Sequence, residues 1–305
     1  MRAFREFKPG IGFASAAVFI SASLWGLFWI PIRYFDENGI DGVWAITLLN
    51  LPAALALVVI VAATWRKQRT HLVPAMAIGF FAGFGLSLYG LGIVHGSVIR
   101  VTLLFYLSPI WATFIGLYWL GEASSWQRWA AIAIGLAGLL CLVGGGGGQP
   151  LGIADALGLA SGILWAIGAS IIKRQGKIPL SGMSMFQFMF LCLFALLGGY
   201  ALGPIETPSI ADVMPVAPVF LAISLIMVLP SVFLLFWASQ FLFPGRVGLL
   251  MMSEVMVALI SASILLPDEA LDPVQWVGAI LIVGASVVEL LPARKNRKRP
   301  LHSNP

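Results

Sequence analysis

Ten times along its length this chain runs through about 20 mainly apolar residues, the length a helix needs to cross a hydrocarbon layer about 30 Å thick. The blocks cover approximately residues 11–33, 43–64, 73–93, 98–120, 127–144, 151–173, 184–203, 216–241, 246–266 and 274–291. Polar or chain-breaking residues close them, such as Asp36-Glu37-Asn38-Gly39 and Arg66-Lys67-Gln68-Arg69. Backbone polar groups in lipid must pair within the chain, so each block predicts a helix; the apolar–polar alternation of a membrane barrel is missing. With 60% hydrophobic and 10% charged residues among 305, little is left for a soluble domain. The predicted fold is an all-α integral membrane protein with ten transmembrane helices.

The second half echoes the first. Ser21-Ala22-Ser23-Leu24-Trp25 returns as Ser161-Gly162-Ile163-Leu164-Trp165, and Arg100-Val101-Thr102-Leu103-Leu104 returns as Arg246-Val247-Gly248-Leu249-Leu250. The step from Glu122 to Trp129 returns from Glu269 to Trp276, and the three offsets are 140, 146 and 147 residues. Five spans per copy force the copies into opposite orientations in the bilayer, the inverted-repeat plan of secondary transporters. The expected organisation is a five-helix repeat over 1–144, a glycine-rich linker over 145–150, a second five-helix repeat over 151–293 and a basic tail over 294–305.

Charge sets the expected orientation. With the N-terminus inside, only Arg33 and Arg100 of the 18 basic residues fall on the outer side, a strong case of the positive-inside rule. Both termini are then cytoplasmic. The net charge of +5 reflects this topology and calls for no nucleic acid, while the run Arg294 to Arg299 suits anionic membrane lipid. The apolar N-terminal run has no persuasive cleavage site and reads as an uncleaved first span. Cys141 and Cys192 sit inside apolar blocks and read as inert thiols. Gly158 and Gly162 have the spacing of a helix-dimerisation face, which leaves a homodimer possible.

Neither a phosphate-binding loop, nor a metal-ligand spacing, nor a nucleophile–base set is present, so an enzyme is not expected and no cofactor is called for. Within the spans the one clear ionisable group is Glu254, whose burial at a helix centre costs about 3 kcal/mol and so marks either a coupling role or a hydrogen bond to a neighbouring helix. Aromatic and small polar residues decorate the middles of other spans: Trp25, Tyr89, Tyr106, Ser108, Trp111, Trp165, Trp237, Gln240 and Ser253. Together they suit a cavity that stacks on apolar or aromatic solutes and solvates a polar headgroup. Pro109 and Pro230 lie inside spans and predict bends.

These residues resemble a family. Leu107-Ser108-Pro109-Ile110-Trp111-Ala112, the closing Leu120-Gly121-Glu122, the following Trp129-Ala130-Ala131-Ile132-Ala133-Ile134-Gly135 and the second-half Leu250-Met251-Met252-Ser253-Glu254 are similar to the EamA branch of the drug/metabolite transporter superfamily. Within it the chain looks like the bacterial aromatic amino-acid exporters. That resemblance implies an inner-membrane carrier exporting amino acids by alternating access through a pocket between spans 1, 3, 4, 6, 8 and 9. Exporters of lipophilic cations and carriers of sugar phosphates or nucleotide sugars are the alternatives. The family pattern often sets a proline beside the acid of the ninth span, where this chain has Val255.

Overall fold

The structure, a computed structural model, describes residues 10–96, 98–123, 125–143, 152–265 and 273–290, so the linker over 145–150 and the basic tail lie outside the described residues. Among them the chain is helical and holds no strand. Its helices are α1 (Ile11–Gly26), α2 (Trp29–Glu37), α3 (Gly42–Ala63), α4 (Trp65–Gln68), α5 (Leu72–His95), α6 (Val98–Phe105), α7 (Ser108–Trp119) and α8 (Trp126–Val143). The second half carries α9 (Ile153–Gln175), α10 (Leu180–Leu202), α11 (Ile210–Ile223), α12 (Leu229–Ser239), α13 (Pro244–Met251), α14 (Ser253–Leu265) and α15 (Pro273–Leu290). Among the described residues five helical stretches are long and apolar enough to cross a membrane: Gly42–Ala63, Trp65–His95, Ile153–Gln175, Leu180–Leu202 and Ile210–Ser239. Shorter apolar helices accompany them.

Three blocks expected as continuous helices are broken. The first divides at Leu27-Phe28, the fourth at Tyr106-Leu107 and the ninth at Met252. Pro109 accounts for the second break, although it does not bend a continuous helix as the sequence suggested. It stands in the first turn of α7, where its missing N–H has no helical partner to lose and its fixed φ favours a new start. Pro31 also stands in the first turn of α2, where it has no N–H to give the Leu27 carbonyl, so only the break at Met252 has no proline beside it. Pro230 likewise opens α12, directly after a wide π-turn over Ser224–Val228. That turn is pinned from outside, because the Ser224 hydroxyl accepts the Ala53 N–H at 3.0 Å, next to the in-helix Pro52 of α3.

The two repeats keep register through their breaks. Helices α6 and α13 are offset by 146 residues at both ends, and α8 and α15 by 147 at both ends. Packing crosses between the copies: α1 lies against α12, α13 and α14, while its counterpart α9 lies against α5, α6 and α7. Helix α8 packs on α15, and α10 packs on α5 and α3. One buried core therefore serves both repeats, running from Ala14 in α1 to Ile282 in α15.

Small residues let these helices touch backbone to backbone. A Cβ on Gly26 would lie 2.5 Å from the Glu254 carbonyl oxygen, and one on Gly162 2.8 Å from the Phe105 carbonyl oxygen. Gly158 faces Val101 in the same way, so the Gly158–Gly162 pair is used inside the chain against α6. Between α1 and α12 the buried Ser21 hydroxyl donates to the Ser231 carbonyl at 2.8 Å.

Candidate functional site

The broken helices meet at the centre. Glu254 stands in the first turn of α14, just past the break at Met252, and the Gly26 end of α1 rests on its backbone. Tyr106 lies in the break between α6 and α7; its buried hydroxyl interacts electrostatically with the Glu254 carboxyl, although the pair does not reach hydrogen-bond geometry. Tyr89, from α5, is the second hydroxyl near that carboxyl and bonds to the Thr102 hydroxyl at 3.1 Å.

A small, partly enclosed cavity of about 50 Å³ occupies this centre. Its wall is largely aromatic, with Trp25 from α1, Tyr89 from α5, Phe105 from α6, Trp165 from α9 and Phe236 from α12. Tyr89 and Phe105 lie with ring centroids 4.8 Å apart, and Trp165 stacks on Phe236 at 6.5 Å. Leu86, Val232, Leu235 and Met251 complete the apolar surface, and Gln187 and Glu254 supply its polar ends. No basic side chain lines the cavity among the described residues.

Of the residues singled out in the sequence, Trp25, Tyr89, Trp165 and Glu254 line the cavity and Tyr106 adjoins it through Glu254. The others sit apart. Trp237 packs edge-on against Phe13 and Phe241, with centroids 5.7 and 5.3 Å away. Gln240, at the end of α12, donates to the Ile178 carbonyl at 3.1 Å. Ser108 is buried at the start of α7 and Trp111 is half-buried one turn on, neither reaching the cavity. The Ser253 hydroxyl turns back to the Leu250 carbonyl at 2.8 Å.

Ser253 instead borders a second, half-open cavity of about 1020 Å³ that shares the α13–α14 joint: Leu250 and Ser253 face it, while Met251 and Glu254 face the centre. Its walls come from α1 and α15, through residues such as Phe19, Ile20 and Val283 that are exposed on their outer sides. At its polar end Glu122 and Arg128 form a buried ion pair, beside Arg246. This groove is open at the side and its acid is paired to its own base, whereas the centre is smaller and lined by aromatic rings.

The sequence reading passed over Gln187, Phe105 and Phe236. Gln187 had a signal, an amide inside an apolar span. The seventh block was drawn from 184, which set Gln187 at its edge, whereas α10 begins at Leu180 and carries it two turns into the helix.

A model of the EamA-like transporter family matches residues 12–144 and again 152–290. No curated protein matches the sequence. A solved crystal structure, described only as that of a protein, superposes with a TM-score of 0.69 at 18% identity, over 92% of this chain and 97% of its own, a likeness of fold.

Proposed function

The chain belongs to the EamA-like transporter family, and from that premise we propose that it exports amino acids, chiefly aromatic or other neutral ones, by alternating access. In this reading ten helices form two inverted five-helix repeats in the inner membrane, with both termini cytoplasmic. The observation that carries it is the small central cavity, where helices of both repeats, some of them beside a break, bring five aromatic side chains together with one amide and one carboxylate. The rings take an apolar side chain, while Gln187 and Glu254 take the charged ends of the solute.

The size of the cavity supports alternating access. About 50 Å³ admits a few water molecules at most and no amino acid, so in this reading the cavity must widen to load. Opening is eased at the helix breaks, where the ladder of backbone hydrogen bonds is already interrupted. A lipophilic cation is the second reading, favoured by a carboxylate framed by Trp25 and Trp165. Sugar phosphates fit worst, since a doubly anionic group requires cationic clamps and the described lining has none.

Two measurements test this. In proteoliposomes preloaded with phenylalanine, labelled phenylalanine should accumulate transiently by counterflow, and a sugar phosphate should not compete. Competition by the sugar phosphate alone would overturn the substrate class. For orientation, cysteines replacing Lys67 or Arg174 should be shielded from an impermeant thiol reagent in intact cells, whereas one replacing Glu37 should react. Labelling at Arg174 from outside would reverse the topology.

A further inference from the structure

Among the described residues that line either cavity, Gln187 alone has every polar side-chain atom buried and without a hydrogen-bond partner. The residue is fully buried, and both its amide nitrogen and its amide oxygen are unmet by protein. Other buried amides are handled differently: Asn50 donates to the Ile46 carbonyl at 2.7 Å, and Gln68 donates to Ser181 at 2.6 Å. The backbone around Gln187 is fixed, because Gly79 and Gly83 of α5 press against the main chain of α10 at Phe186 and Gln187. The helix therefore cannot turn this side chain away from the centre.

An amide left unmet inside a protein is unfavourable, and its two ends are best satisfied by a solute that reaches both when the cavity widens. A solute that meets only one leaves the other buried and unpaired and loses affinity. What meets both is an acceptor and a donor held side by side. An α-amino acid presents that pair, a carboxylate oxygen and an ammonium N–H on neighbouring atoms.

We propose that Gln187 is the specificity-determining residue of the central cavity, its Nε2–H donating to the carboxylate and its Oε1 accepting from the ammonium of a single α-amino acid. This rests on the amino-acid reading above and sharpens it. The aromatic wall alone accepts any flat apolar body, and the amide restricts it to bodies carrying both charged groups. Glu254, lining the same cavity, takes a further N–H of the ammonium.

The test is competition against labelled phenylalanine in counterflow, using phenylalanine, phenethylamine, which lacks the carboxylate, and 3-phenylpropanoate, which lacks the ammonium. The parent protein should favour phenylalanine over each truncated compound by about tenfold or more. In Gln187→Met, which keeps length and volume but removes both polar atoms, that preference should collapse, mainly by weaker competition from phenylalanine. Its melting temperature in detergent should stay level or rise, because no protein partner is lost. A preference that survives in Gln187→Met overturns the role of this residue alone. A lower melting temperature with selectivity intact would mark the amide as structural and overturn it too. A parent protein that binds none of the three compounds overturns the amino-acid reading, and this proposal with it.

Discussion

Glu254→Gln is expected to weaken binding of amine-bearing solutes on the order of 100-fold while leaving the protein folded. The substitution keeps shape and removes the one acid among the described residues that line the central cavity. Taking one partner from a buried charge pair costs roughly 2–5 kcal/mol, and about 1.4 kcal/mol is tenfold in affinity. Equilibrium binding of phenylalanine and phenethylamine to the purified variant reads the effect directly. A proton-coupling role predicts another pattern, in which binding and exchange persist and only accumulation driven by an imposed pH gradient is lost. A purely structural hydrogen bond predicts parental behaviour in both assays. The three outcomes do not overlap.

Gly83→Leu should leave no folded protein to assay. A side chain there meets the Gln187 carbonyl oxygen and lies 3.0 Å from both the Leu191 nitrogen and the Phe190 Cβ. Two of those atoms belong to backbone inside α10 and cannot swing aside. Overpacking a core commonly costs about 1–3 kcal/mol when side chains can rearrange, and more where they cannot. Here α5 and α10 must part, and they form one of the most extensive helix pairs in the molecule. The expected result is loss of the monodisperse peak on size exclusion in detergent. Gly284→Ala is the control, since nothing lies within 4 Å of its added Cβ, and in a helix interior it should be neutral or stabilising by up to about 1 kcal/mol. A Gly83→Leu variant that behaves like the parent would show that the α5–α10 contact is looser than its geometry implies.

The contrast between these two sites marks what could be read in the sequence. Helix content and the two repeats were legible because apolar length and the recurrence around Trp25 and Trp165 are written in linear order. The break at Tyr106-Leu107 was half legible, since Pro109 announced an irregularity without saying that the helix restarts. That at Leu27-Phe28 carries the same mark in Pro31, which the reading passed over, and that at Met252 was not legible, for no proline marks it. The lining of the central cavity was legible where residue type constrained placement: a buried acid and large deep aromatics tend towards a shared cavity. It was not legible where only the direction of a side chain decides. Helices that are apolar nearly all round give no periodic signal for which face turns inward, so Trp237 and Gln240 looked as central as Trp165. Gln240 finds the Ile178 carbonyl at a helix end, and Gln187 finds no protein partner, yet the linear pattern describes both as a glutamine in an apolar block.

The crossed packing of α1 and α9 bears on how such a protein can move. Each repeat lends its leading helix to the other, so moving the N- and C-terminal halves as two rigid bodies would break these contacts. One set of contacts joins α1 to α12, α13 and α14, the other joins α9 to α5, α6 and α7, and each is assembled from distant stretches of chain. The motion then bears on the connections within each repeat where the chain passes from one packing set to the other, such as the stretch from Gly26 to Gly42, which holds α2 and leads out of α1.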